Sequence, residues 1–231
     1  MKKDKEIVKE MFDDIAPKYD FLNHFLSFGI DKRWRKKAVK MLKESNPKHV
    51  LDVATGTGDF AIRINKDLGA KVTGVDISVG MLEMGKEKIA NLGLGDVISL
   101  EEGDSTNLRF DDNTFDALTV AFGVRNFEDL PKGLGEMNRV LKKGAKVVIL
   151  EFSKPRMFPF KQLYTFYSLY ILPFLGAIFS RNKSAYTYLP ESVRAFPDGD
   201  DFLKIMENIG FSSCKKKILS LGIVTIYTGI K

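Results

Sequence analysis

The stretch His49-Val50-Leu51-Asp52-Val53-Ala54-Thr55-Gly56-Thr57-Gly58-Asp59 decides the fold of this chain. Apolar residues run into a glycine turn, and an amphipathic stretch from Phe60 to Leu68 follows. That order reads as strand, tight turn, helix, the first unit of a doubly wound sheet. Gly56 and Gly58 let the backbone pass close to a ligand that a side chain would block. Gly56-x-Gly58-x-x-Ala61 also fits the dinucleotide fingerprint, and Asp76 ends a second apolar strand, at the spacing suited to ribose hydroxyls.

Two further carboxylates separate the ligands this pattern could take. A dinucleotide places a pyrophosphate at the first turn of the helix, where free N–H groups and the positive dipole end favour an anion. Asp52 and Asp59 would repel it. S-adenosylmethionine carries an ammonium and a sulfonium and no phosphate, so acids around the turn suit it, and it is the expected cofactor. Read structurally instead, Asp59 is a helix N-cap and Asp52 a strand-end carboxylate satisfied by backbone N–H groups.

Outward from this turn, the periodicity predicts strands over 48–54, 71–76, 97–102, 115–122 and 145–151, with helices over 58–68, 79–91 and 129–141. Helices occupy residues 1 to about 45. A late helix (199–208) precedes two apolar strands, 211–217 and 220–230, whose short connection around Leu221-Gly222 predicts an antiparallel hairpin. The expected fold is therefore α/β: a doubly wound, mostly parallel seven-stranded sheet with an antiparallel C-terminal hairpin strand and a helical insertion. One domain of 231 residues is expected, with N-terminal helices (1–45), a cofactor-binding core (46–154), an insertion (155–197) and a C-terminal helix and hairpin (198–231).

The chain carries 36 basic and 30 acidic residues, a formal charge of +6. Lys32, Arg33, Arg35, Lys36 and Lys37 concentrate part of it, as do Lys215, Lys216 and Lys217. These clusters read as solvated faces or as contacts to an anionic membrane surface. They match no nucleic-acid motif, so no nucleic acid is expected as a partner. The lone Cys214 excludes an internal disulfide and fits a reducing cytoplasm. His24 and His49 lack the spacing of a metal site, so no metal is expected. The N-terminus has no uncharged apolar region of the signal-peptide kind.

Residues 162–180 carry no charge and six aromatics: Tyr164, Phe166, Tyr167, Tyr170, Phe174 and Phe179. Pro173, Gly176 and several hydroxyls weaken a membrane-spanning reading. A pair of helices packed on the sheet edge and an apolar lid over a greasy substrate, touching the membrane interface, are the other two readings.

Five strings carry a resemblance over nearly the whole chain: Ile15-Ala16-Pro17-Lys18-Tyr19-Asp20, Ser27-Phe28-Gly29-Ile30 with Trp34, Phe122-Gly123-Val124-Arg125-Asn126, Glu151-Phe152-Ser153-Lys154-Pro155, and Tyr188-Leu189-Pro190-Glu191-Ser192-Val193-Arg194 with Phe196-Pro197. The chain resembles the ubiquinone/menaquinone biosynthesis C-methyltransferases, and its length is similar to that of the bacterial demethylmenaquinone methyltransferases. The resemblance implies a class I S-adenosylmethionine-dependent methyltransferase acting on a ring carbon of a polyprenylated quinol, with demethylmenaquinol the expected substrate and a benzoquinol precursor of ubiquinone the alternative. It also implies cofactor contacts at Thr57, Asp76, Asp104 and Ser105, the last two beside the adenine. Two positions depart from the family's habit: Ala121 stands where serine is frequent, and Ser105 where alanine is.

Methylating carbon needs an electron-rich ring, which a hydroquinone becomes when a hydroxyl is deprotonated. No covalent enzyme intermediate is required; proximity, exclusion of water and a cation beside the developing phenolate are. Arg125, just beyond the fourth strand where the crevice of such sheets opens, is the expected cation. Asn126 and Tyr19 are the expected hydrogen-bonding partners of the quinol oxygens. A pairing of Arg125 with Glu128 or Asp129, and a capping role for Asn126, are the structural readings of the same residues. Glu151, His24, Asp20 or a water held by Arg125 are open as the base. An NAD-dependent oxidoreductase is opposed by Asp52 and Asp59; Phe122-Gly123-Val124-Arg125-Asn126 opposes other lipid methyltransferases.

Overall fold

The computed structural model describes residues 4–171 and 183–231, for 183–187 the backbone alone. Helices α1 (Lys5–Leu26) and α2 (Ile30–Leu42) precede the sheet. Then follow β1 (His49–Val53), α3 (Asp59–Leu68), β2 (Lys71–Asp76), α4 (Val79–Asn91), β3 (Ile98–Glu102), β4 (Phe115–Ala121), α5 (Leu130–Val140) and β5 (Leu141–Phe152). A helix at Phe160–Phe166 (α6) continues into a π-helical turn at Tyr167–Ile171. Helices Lys183–Ala195 (α7) and Asp200–Asn208 (α8) lead to β6 (Ser212–Leu219) and β7 (Val224–Ile230).

The seven strands lie in the order β3-β2-β1-β4-β5-β7-β6. Neighbours among β1 to β5 are parallel, and β7 runs antiparallel to both β5 and β6. The period of two in β1 explains why both faces are covered. Val50 packs with Trp34, Ala38 and Leu42 of α2 and Phe60 and Ile64 of α3, while Leu51 and Val53 join Leu134 and Met137 of α5 and Phe202 and Met206 of α8 on the other face. Side-chain caps fix where two of these helices start. Ser78 accepts from the Met81 N–H at the head of α4, and Asp129 accepts from the Lys132 N–H at the head of α5.

Three boundaries differ from the sequence expectation. β5 starts at Leu141, because Leu141 pairs with Phe115 before a register shift between Phe115 and Ala117 lengthens the ladder. The last strand starts at Val224, because Ser220–Gly222 forms a short 3-10 turn. Helix α3 is capped by Gly58 in the left-handed region, φ 76°, and not by Asp59. The described part of the uncharged segment is helical and meets α1: Tyr167 Oη donates to the Leu26 carbonyl at 3.0 Å. Its remaining expected residues, Pro173, Phe174, Gly176 and Phe179, lie outside the described residues. No helix among the described residues is long and apolar enough to cross a membrane.

Candidate active site

The strand order reverses between β1 and β4, and in open parallel sheets a crevice opens beyond the strand ends at such a point. Here both strands leave the sheet through left-handed residues, Ala54 (φ 54°) and Phe122 (φ 60°). Side chains other than glycine adopt that conformation at a cost on the order of 1 kcal/mol, and such strain gathers at functional sites. Gly123 makes room for the turn; a Cβ there would lie 2.4 Å from Cβ of Ala54.

A first cavity occupies this crevice. Gly56, Asp76, Asp104, Ser105, Ala121, Asn126 and Tyr19 all line it, seven of the residues singled out from sequence. Asp76 Oδ2 accepts from the Gly56 N–H at 2.8 Å and Oδ1 from the Ser78 N–H at 3.0 Å, so the carboxylate holds the glycine turn while its remaining lone pairs stay available. Burial raises its pKa against the pull of those N–H groups. Burial pushes Asp104 upward too, but the bond from Lys5 Nζ (2.7 Å) and two from Thr106 outweigh it and leave its pKa lowered.

Four expected cofactor residues are placed differently. Asp52, Thr57, Gly58 and Asp59 are absent from the cavity wall. Asp52, 1% exposed, accepts from Thr55 Oγ1 (2.7 Å) and Thr119 Oγ1 (2.5 Å), bracing β1 against β4 through hydroxyls and not through backbone N–H groups. Thr57 Oγ1 donates to Asp20 at 2.6 Å. Gly58 closes the turn against Leu100 and Ile89. Asp59 pairs with Lys88 at 2.8 Å and faces His24 Nε2 at 3.5 Å. Burial opposes its charge, but Arg35 and Lys88 prevail and lower its pKa. The acids that do face the cavity are Asp76, Asp104 and Glu128, against the single ammonium of Lys5 among the described wall residues.

Burial raises the Asp52 pKa from 3.8 to about 6 despite its two threonine bonds. A folded-state pKa above the unfolded value stabilises the protonated form, so this contribution is full below about pH 4 and is lost as pH rises through about 6. Asp52→Asn keeps polar contacts to both threonines without the charge. Thermal melts across pH 4 to 7 should therefore show the variant gaining stability relative to the parent as pH rises, by about 3 kcal/mol at most. A constant difference across that range would deny the shift.

Phe12, Tyr19 and Phe122 are shared between the first cavity and a second. Burial raises the Tyr19 pKa, opposed by the charges of Arg125 and Arg35. Arg125, 5% exposed, lines the second cavity. Its partner is Glu151 rather than Glu128 or Asp129: Nη1 donates to Glu151 Oε1 at 2.9 Å and to the Phe122 carbonyl, and Nε to Ser192 Oγ at 3.3 Å. Asn126 does not cap α5; its Oδ1 accepts from Tyr188 Oη at 3.0 Å. None of the three candidate side-chain bases lines the first or the second cavity. Glu151 is enclosed by Arg125 and its neighbour's N–H, His24 Nδ1 faces Asp31 at 2.8 Å, and Asp20 takes Thr57 and Lys88.

Asn23, Leu26, Ser27, Trp34, Phe152 and Leu189 are shared in turn between the second cavity and a third, of about 350 Å³. Phe160 and, from the uncharged segment, Leu163, Tyr164 and Tyr167 form part of its wall, as do Leu221 and Ile223. Phe166 and Tyr170 are not on it; they face outward with ring centroids 5.3 Å apart. Sequence reading missed Trp34, Phe152 and Arg35 as wall residues. The available signal was helical spacing: Asp31, Trp34, Arg35, Ala38, Val39 and Leu42 form the buried stripe of α2.

The sheet and its crevice have the architecture of the class I S-adenosylmethionine-dependent methyltransferases. A Haemonchus contortus phosphoethanolamine N-methyltransferase 2, solved in complex with S-adenosyl-L-methionine, shares the fold at a TM-score of 0.64 with 14% identity, covering 95% of this chain and 60% of that one. More narrowly, a sequence model of the ubiE/COQ5 methyltransferase family matches residues 1–231, and the chain belongs to that family. A demethylmenaquinone methyltransferase of Bacteroides fragilis is 51% identical over 230 residues, 99% of this chain and 94% of the relative. A ubiquinone/menaquinone biosynthesis C-methyltransferase UbiE of Geotalea daltonii is 49% identical over 228 residues, 98% of this chain and 97% of the relative.

Proposed function

We propose that this protein methylates a ring carbon of a polyprenylated quinol, converting demethylmenaquinol to menaquinol. The observation that carries this reading is the run of three cavities with shared walls, from a carboxylate-lined crevice through an aromatic chamber to an apolar groove. That sequence of environments suits a cationic nucleoside, a polar aromatic ring and a hydrocarbon tail in turn.

The first cavity fits S-adenosylmethionine: three carboxylates face one ammonium, a balance that suits a sulfonium and an ammonium and opposes a pyrophosphate. Asp76 would take the ribose, Asp104 and Ser105 the adenine, and Gly56 and Ala121 keep the backbone close. When bound, the cofactor supplies an electrophilic methyl group. Phe122 and Phe152, ring centroids 4.6 Å apart, and Trp34 give the second chamber an apolar aromatic wall. Arg125 donates to the oxygen beside the reacting carbon, with Tyr19 and Asn126 orienting the ring. Incubation with methyl-labelled cofactor and a tailed demethylnaphthohydroquinol should give a product labelled on ring carbon by mass spectrometry. Label on oxygen, or none, would overturn the reading; preference for a benzoquinol would move the substrate class.

The tail lies in the third cavity in this reading. Leu163→Ser with Ile223→Ser should raise KM for the tailed quinol about tenfold and leave a tail-less analogue within twofold, because each buried methylene contributes about 0.8 kcal/mol. Equal effects on both substrates would remove the groove from tail binding. The exposed rings of Phe158, Phe166 and Tyr170, with the exposed Lys32, Arg33, Lys36 and Lys37, support peripheral contact with an anionic membrane. Phe166→Ser with Tyr170→Ser should then reduce flotation with anionic vesicles while sparing KM for the tail-less analogue.

A further inference from the structure

The second cavity holds two guanidinium groups, and only one of them has been given work. Arg35 is 8% exposed and lines the same chamber as Arg125. The two are arranged alike. Each gives Nη1 to one buried carboxylate, Arg35 to Asp31 and Arg125 to Glu151. Each stands over one ring of the Phe122/Phe152 pair, Arg35 5.6 Å from the Phe122 centroid and Arg125 5.4 Å from that of Phe152. They differ at Nε: that of Arg125 donates to Ser192 Oγ, whereas that of Arg35 is buried and has no hydrogen-bond partner among the described residues.

An unpaired N–H of a buried guanidinium is costly, and burial without a partner is rare enough to need a reason. The carboxylate of Asp31 meets Arg35 Nη1, His24 Nδ1 and Ser27 Oγ but not Arg35 Nε. A 1,4-quinol brings two oxygens on opposite sides of one ring, and the chamber presents two donor-only cations beside one aromatic pair.

We propose that Arg35 is a second substrate-binding residue, its guanidinium donating to the quinol oxygen remote from the methylated carbon while Arg125 serves the oxygen next to it. This rests on the quinol reading above. In it, Arg35 sets the ring's orientation and selects for a para-dioxygenated ring. A site built to donate to an oxygen discriminates against the analogue that lacks it, because its own donor is then left unpaired.

The test compares two substrates with the same tail: the naphthohydroquinol and a naphthol that keeps the oxygen beside the reacting carbon and lacks the other. Arg35→Met should lower kcat/KM for the quinol about 10- to 100-fold and for the naphthol less than about threefold, so that the discrimination of the parent enzyme collapses. Melting temperature and S-adenosylhomocysteine affinity report whether the variant folds. Should it not, Arg35→Lys retains the charge toward Asp31 without the planar fork and is expected to show the same substrate-selective loss, about 5- to 20-fold. Equal losses on both substrates, or no loss on the quinol, in the folded variant would overturn the role of Arg35. Failure of the parent enzyme to methylate either substrate would overturn the quinol reading and the role of Arg35 with it.

Discussion

Arg125→Ala is expected to lower kcat by about 100-fold or more, the usual consequence of removing a donor from developing negative charge, while cofactor affinity stays within about threefold. The substitution has a second effect that has to be separated from the first. Glu151 is 0% exposed and its charge is opposed by Arg125, so the alanine variant strands a buried carboxylate at a cost of about 3–5 kcal/mol. Combining Arg125→Ala with Glu151→Gln removes the stranded charge. The double variant should recover most of the lost melting temperature and none of the lost turnover. If turnover returns with stability, Arg125 acts only as a structural partner of Glu151.

Asp76→Ala should weaken S-adenosylhomocysteine binding by about 2 kcal/mol, roughly 30-fold in Kd. Two losses add in the same direction. The ribose hydroxyls lose a charged acceptor, and the N–H groups of Gly56 and Ser78 lose the oxygens that hold the glycine turn in place. Asp76→Asn retains one acceptor and should fall between the two proteins. Calorimetric titration measures both; an unchanged Kd for the alanine variant would remove Asp76 from the site. The same instrument tests the acid-lined wall, which predicts no competitive binding of NADH. Tighter binding of NADH than of S-adenosylhomocysteine would contradict it.

Much of the fold was legible in sequence because it is written locally. The strand-turn-helix order around Gly56, the period of two in β1 and the Leu221-Gly222 connection each specify an element without reference to distant residues. The wall residues Asp76, Asp104, Ser105, Ala121 and Asn126 were legible for a related reason: each lies at or just beyond the end of a strand, where this sheet opens. Asp52 and Asp59 do not line the first cavity, because proximity to the turn does not fix direction. Thr119 and Lys88, 67 and 29 residues away, draw the two carboxylates off the wall, and nothing near the turn announces them. Arg35 was hidden by composition, since it sits in a basic run whose other members are solvent-exposed. Its spacing of four from Asp31 and Val39 held the information that a count of charges discards.

One wall of both the first and the second cavity comes from outside the sheet. Lys5, Val8, Phe12 and Tyr19 of α1 close the first, and Phe12 and Tyr19 continue into the second, while the strand ends supply the opposite side. Asp13 and Asp20 hold the helix there through Ser78, Gly80, Thr57 and Lys88. A contiguous segment of 22 residues thus covers both cavities from one side. Exchanging it would reshape both cavities at once without touching a single strand, so any change in this helix couples the two chambers.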